Sequence, residues 1–139
     1  MPTVLYAEDD PDHRAMMRLA LKNTDITLIE AVDGLEALQK IQEQSPDLIL
    51  LDLFMPRLDG FAVMEAVKAN TRTRHIPILV LSAWPTGDNR KRTRAAGAAD
   101  FIAKPYEPIE LVKRIRELVT AQASLVTLKP KNDPNPANI

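Results

Sequence analysis

The stretch Asp47-Leu48-Ile49-Leu50-Leu51-Asp52-Leu53-Phe54-Met55-Pro56-Arg57-Leu58-Asp59-Gly60 decides how the rest of the chain is read. Its centre, Leu48–Leu51, is aliphatic at every position, the pattern of a short strand covered on both faces in a parallel sheet. The run closes on a carboxylate, Asp52, and Pro56 and Gly60 then enforce a loop. Asp52 is thereby expected at the carboxyl edge of a sheet, where open α/β folds bind their ligands.

Similar apolar runs recur on either side. Val4–Ala7, Thr27–Ala31, Ile78–Leu81 and Ala99–Ala103 read as strands, and Pro77 is tolerable at the start of the fourth because a first residue need not donate to the ladder. Segments of helical period separate them. Asp10-Pro11 places a capping acid before a proline suited to a first turn. Asp33-Gly34-Leu35-Glu36 resembles a capping box, followed by a stripe of Ala37, Leu38 and Ile41. Asp59 can cap a helix bearing Phe61, Met64 and Val67, so Asp10, Asp33 and Asp59 are read as caps and not as ligands. A fourth helix, Gly87 to Ala96, ends at Gly97, and a fifth begins near Pro108 with Leu111, Val112, Ile115, Leu118 and Val119 at helical spacing. Five βα units predict a doubly wound α/β sandwich around a parallel five-stranded sheet.

The chain has 139 residues, enough for one continuous core, and that domain is assigned to residues 1–123. In the remaining 124–139, Ser124–Leu128 reads as a weak strand-like run, and the Pro- and Asn-rich stretch from Lys129 to Pro136 as a flexible tail or linker. The formal charge of −1 gives no bulk attraction to nucleic acid or anionic membranes. The absence of cysteine removes disulfides, thiolate metal sites and thiol nucleophiles. With no signal peptide and no membrane span in the sequence, a cytoplasmic location is expected.

The chemistry-bearing residues gather at strand ends. Glu8 and Asp9 follow the first run, Asp52 the third, Ser82 the fourth and Lys104 the fifth. Carboxylates beside one lysine suggest a site for a divalent cation and a phosphoryl group. The first βα turn, Glu8-Asp9-Asp10-Pro11, is acidic and lacks glycine, so it would repel a phosphate unless a metal intervened.

Taken in order, Glu8-Asp9, the Asp52 strand with Met55-Pro56 and Asp59-Gly60, Ser82-Ala83 and Lys104-Pro105 resemble the receiver domain of two-component response regulators, the group that includes the chemotaxis receiver. The resemblance covers about residues 3 to 121 and implies the flavodoxin-like strand order 2-1-3-4-5. By resemblance Asp52 is the phosphoacceptor, supplied by a histidine kinase or a histidine phosphotransfer protein. Mg²⁺ is the implied cofactor, held by Asp9, Asp52 and the backbone carbonyl of Phe54, with Glu8 acting through a water or directly. Lys104 pairs with the phosphoryl oxygens, Ser82 donates a hydroxyl hydrogen bond to them, and Lys104-Pro105 is expected to be cis.

The same resemblance implies a switch. Ser82 and its loop move inward on phosphorylation, and Phe101 fills the space vacated. The output is then a packing change on the fourth helix, fifth strand and fifth helix, read by a protein target, with the chain a monomer or a phosphorylation-dependent dimer. Phe54 and Trp84 are bulky and apolar; the resemblance implies that their positions flank the path of the hydrolytic water, and they are expected to shield the phosphoryl group. Asn89-Arg90-Lys91-Arg92-Thr93-Arg94 reads as the solvated side of the fourth helix or as a docking face. His13 and His75 have no companion at metal spacing and are read as surface residues. Three other functions compete, of which a flavin or nucleotide carrier is disfavoured by the acidic, glycine-free first βα turn. An aspartate-based phosphatase would need an acid two residues after the acceptor, where this chain has Phe54, and an inert scaffold would not need the complete residue set.

Overall fold

The computed structural model describes the backbone of residues 1–128 and the side chains of residues 1–124. Five strands and five helices alternate: β1 Thr3–Ala7, α1 Pro11–Leu21, β2 Thr27–Ala31, α2 Gly34–Gln44, β3 Leu48–Asp52, α3 Gly60–Ala69, β4 Ile78–Ser82, α4 Gly87–Ala95, β5 Asp100–Ala103 and α5 Pro108–Leu128. All strand pairs are parallel and the sheet order is β2-β1-β3-β4-β5, as the family resemblance implies.

The unbroken aliphatic strands have the cause inferred from their pattern. In β3, Ile49 and Leu51 face one core layer, with Val63, Met64 and Val67 of α3 and Ala37 and Ile41 of α2. Leu48 and Leu50 face the other, with Met17 and Leu21 of α1 and Leu111 and Ile115 of α5. Alternate side chains therefore enter opposite layers, and all four aliphatic residues are fully buried. Among the described residues no helix is long and apolar enough to cross a membrane.

The predicted caps form. Asp10 accepts from the Asp12 amide at 2.8 Å, Asp33 from the Glu36 amide at 2.8 Å and Asp59 from the Ala62 amide at 3.0 Å. Glu36 returns its carboxylate to the amide of Val32 at 2.8 Å, one residue before the cap, so the box is shifted from its usual reciprocal form. Gly97 follows α4 with a φ of 103°, a left-handed conformation that favours glycine.

One reading is corrected. Ser124–Leu128 is not strand-like but continues α5, which runs to Leu128. Val126 and Thr127 raised the strand signal, yet no turn residue separates this run from the helix before it. Extending an existing helix adds a hydrogen bond for each residue fixed, and that local gain prevails. Of the flexible tail expected over residues 124–139, residues 129–139 lie outside the described residues.

Gly60 ties the loop after Asp52 to its strand. Its amide donates to the Leu53 carbonyl at 2.8 Å. A Cβ at this position would lie 2.7 Å from the Asp52 carbonyl oxygen and 2.8 Å from the Leu53 Cα, both backbone atoms that cannot give way cheaply. Gly60→Ala should therefore cost about 1–3 kcal/mol in urea unfolding and displace the backbone behind Asp52. Gly87→Ala, where a Cβ meets nothing within 4 Å, should be neutral or slightly stabilising in the same assay.

Candidate functional site

Parallel strands deliver their carboxyl ends to one edge of the sheet, which collects residues distant in sequence. Asp52 is the last residue of β3 and Ser82 the last of β4, while Lys104 directly follows β5. The Lys104 amide donates to the Ser82 carbonyl at 2.8 Å, extending the β4–β5 ladder to the residue that carries the ammonium. Glu8 follows β1 and is locked in register by its amide, which donates to the Ala31 carbonyl at 3.0 Å. The Lys104–Pro105 peptide is cis, as the resemblance implies.

Glu8, Asp9 and Asp52 each present a carboxylate oxygen, and these three atoms lie within 4.8 Å of one another. Glu8 and Asp52 are buried and Asp9 is exposed. An all-oxygen donor set with one side open to water fits a hard cation such as Mg²⁺, which retains several waters and takes one or two carboxylates. The chain's own residues fit the implied cofactor.

Glu8 is the most densely bonded group at the site. Its carboxylate accepts from the Tyr6 hydroxyl at 3.0 Å, the Lys104 ammonium at 2.5 Å and the Asp10 amide at 3.2 Å, and the His13 Nδ1 lies at 3.3 Å. Burial pushes its carboxyl up, but the hydrogen bond and charge of Lys104, with the Asp10 amide and the Tyr6 hydroxyl, outweigh that and hold it below the usual range. Asp52 goes the other way. Burial, then the charge of Glu8, pushes its pKa up from 3.8 to about 6, against the opposing pull of Lys104 and the Phe54 amide. The two buried acids thus share one ammonium unequally, and Glu8 holds it.

Ser82 is fully buried, and its hydroxyl oxygen accepts the Trp84 amide at 3.0 Å. Among the described residues nothing accepts the hydroxyl hydrogen itself, which is available to donate. Phe54 and Trp84 are 49% and 63% exposed on the loops after β3 and β4. Phe101 is half-buried, packs on the core layer of α2 and α3, and carries the Arg90 guanidinium 4.6 Å from its ring centroid.

His13 corrects the sequence reading. It is not a bystander on the surface: its Nδ1 is 3.1 Å from the Lys104 ammonium as well as near Glu8, and its Nε2 is 3.7 Å from Asp10. The signal was present, because a residue three after an N-cap sits one turn above that cap and faces the strand end that precedes it. His75 is exposed, as expected. Tyr6 was read only as part of a strand, and nothing in a period-2 pattern announces that its hydroxyl reaches Glu8.

A family model described as the response regulator receiver domain matches residues 4–116. The transcriptional regulatory protein PrrA of Mycobacterium tuberculosis is 39% identical over 126 residues, which is 91% of this chain and 53% of PrrA. The chain thus spans about half the length of the curated relatives it matches. Among solved structures, the chemotaxis protein CheY4 of Vibrio cholerae superposes with a TM-score of 0.80 at 30% identity, covering 85% of this chain and 98% of that one. The receiver domain of the sensor histidine kinase PA1611 from Pseudomonas aeruginosa PAO1, described with a magnesium ion coordinated in the active-site cleft, superposes with a TM-score of 0.80 at 27% identity. That match covers 86% of this chain and 98% of the other.

The raised Asp52 value has a consequence for stability. The folded chain binds the proton more tightly than the unfolded chain, so stability falls as pH rises from about 4 through about 6. At pH 7 without divalent metal, Asp52→Asn should be more stable than wild type by about 2 kcal/mol in thermal or urea unfolding. That advantage should vanish below about pH 4, and saturating Mg²⁺ should stabilise wild type more than the variant.

Proposed function

The chain belongs to the response-regulator receiver family of two-component signalling, and on that premise we propose that Asp52 accepts a phosphoryl group and that the modification switches the surface of α4, β5 and α5. The observation that carries this reading is the convergence of Glu8 and Asp9 after β1, Asp52 of β3, Ser82 of β4 and Lys104 after β5 on one sheet edge. The donor is a phosphohistidine on a histidine kinase or a phosphotransfer protein, and the output is a protein partner.

In the transfer an Asp52 carboxylate oxygen attacks phosphorus in line. The new P–O bond forms as the P–N bond to the donor imidazole breaks, and the imidazole leaves with the electron pair and takes a proton from water. Catalysis of this kind rests on positioning and charge stabilisation. Asp9, Asp52 and the Phe54 carbonyl would hold a Mg²⁺ ion, which would supply charge neutralisation for the transfer. Glu8 acts through a water, since its oxygens already accept from Tyr6, Lys104 and Asp10.

Lys104 leaves Glu8 to meet the phosphoryl oxygens, and Ser82 turns its hydroxyl hydrogen onto the same group. A phosphoryl of roughly −1.5 to −2 charges draws both inward. Phe101 then follows into the space behind the Ser82 loop, which changes the wall that β5 presents to α4. A full swing from 1:99 to 99:1 requires about 5.5 kcal/mol of differential stabilisation.

Phe54 and Trp84 cover the phosphoryl group and slow its hydrolysis. Their exposure supports this, because both rings already stand in water beside the acceptor and gain by packing over it. The phosphatase reading is disfavoured by the same residue: with phenylalanine two after the acceptor, no side chain there can protonate a leaving group.

Incubation with acetyl phosphate and Mg²⁺ should add one phosphoryl to wild type and none to Asp52→Asn by intact mass. Label that persists in the variant would sink the assignment. Trp84 emission should change with Mg²⁺ or beryllofluoride. Phe54→Asn should lose its phosphoryl about tenfold faster than wild type in a decay time course; an equal or slower decay refutes the shielding role.

A further inference from the structure

The loop after β3, residues 53–59, is anchored in the core on both sides of Phe54. Leu53 and Met55 are buried, and Leu58 packs on the core layer of α2 and α3. The Phe54 amide donates to the Asp52 carboxylate, so the backbone of this residue lies beside the cluster of acids. Where that backbone sits decides what its carbonyl can reach.

Arg57, further along the loop, has a left-handed backbone with a φ of 68° although it is not glycine. Across it the Leu58 amide donates to the Pro56 carbonyl at 2.8 Å. A three-residue turn with a positive φ at its centre is the rare, strained form of the γ-turn. Such a conformation persists only where its surroundings hold it.

Two contacts hold it, and both come from the start of α2. The Arg57 guanidinium donates to the Asp33 carboxylate, which is only 3% exposed and also caps α2 through the Glu36 amide at 2.8 Å. Gly34 supplies the second contact. A Cβ there would collide with the Leu58 carbonyl oxygen and lie 2.7 Å from the Leu58 Cβ, so helix and loop meet with no room for a side chain between them. Loss of Arg57 would leave Asp33 its amide donor, and α2 would keep its cap. The ion pair can therefore be broken without unmaking the helix.

We propose that Arg57 is a positioning residue of the metal site: its pair with Asp33, beside the Gly34 contact, clamps the loop and so holds the Phe54 carbonyl in place for a divalent cation. The proposal rests on the reading of that carbonyl as a Mg²⁺ ligand. Arg57 acts through the loop and not on the ion. Its own charge would repel a divalent cation, so its charge and its hold on the loop act with opposite sign. If charge alone mattered, alanine in its place would strengthen metal binding. If the clamp matters, alanine weakens it.

The test is isothermal titration calorimetry of the full chain with Mg²⁺, paired with amide hydrogen exchange of the loop in metal-free protein. Arg57→Ala, checked for folding by circular dichroism, should bind Mg²⁺ about fivefold more weakly and exchange the loop amides faster. Arg57→Lys should recover most of the affinity, because the contact uses one guanidinium nitrogen and an ammonium can replace it. Gly34→Ala changes no charge but forces the loop off α2, and should weaken binding at least as much. Equal or tighter Mg²⁺ binding by folded Arg57→Ala overturns the proposal, and so does unchanged exchange in the loop. If Gly34→Ala does not fold, the arginine variants decide alone. A wild type without Mg²⁺ affinity would instead strike the metal reading, and the exchange measurement would then decide the clamp by itself.

Discussion

The ion pair between Lys104 and Glu8 joins the end of the last strand to the end of the first, 96 residues apart in sequence. It is nearly dry: the lysine side chain is 11% exposed and the glutamate 2%. Two buried acids and one ammonium cannot all be satisfied, so the arrangement is settled by competition. Glu8, with Tyr6 and the Asp10 amide as further donors, takes the ammonium and stays ionised. Asp52 is left with a carboxyl pushed up to about 6. The site is electrostatically incomplete by construction, and a cation or a phosphoryl group, by engaging Asp52 or drawing Lys104 away, changes the balance for every member.

The same competition explains why the fold places these groups where it does. Right-handed crossovers bury both faces of the sheet and leave only its edges for polar chemistry. Each aliphatic strand ends at the point where its side chains leave the core, and β3 and β4 end on Asp52 and Ser82 themselves. Gly60, pressed against the Asp52 carbonyl, keeps the following loop from lifting away. The packed interior thus fixes the position of the Asp52 carboxylate at the sheet edge.

From the site to α4 the physical path is short. Ser82 and Trp84 share a hydrogen bond, the Trp84 carbonyl accepts from Asn89 of α4 at 2.8 Å, and Phe101 stands beneath Arg90. A displacement of the Ser82 loop would therefore reach α4 through hydrogen-bonded contacts. The α4 helix itself adds little to the core, burying only Thr93, which suits an element whose position can change without large loss of packing.

Much of this was legible in the order of residues. Short apolar runs closed by a polar residue, Val4–Ala7 before Glu8, Leu48–Leu51 before Asp52 and Ile78–Leu81 before Ser82, specified the parallel sheet, because a strand covered on both faces can be apolar throughout. Asp10, Asp33 and Asp59 announced their helices because capping is a local hydrogen bond between near neighbours. Asp52, Ser82 and Lys104 could be picked out because strand ends are local features too. The strand-like look of Ser124–Leu128 misled because branched residues raise strand propensity, whereas an already formed helix propagates cheaply. Only the tertiary structure decided that His13 and Tyr6 meet Glu8, that Glu8 and not Asp52 holds Lys104, and that Arg90 and Arg92 lie on rings from other elements. Those pairings join residues from separate elements or depend on side-chain direction, and neither period nor spacing encodes where a long polar side chain ends once the core has closed.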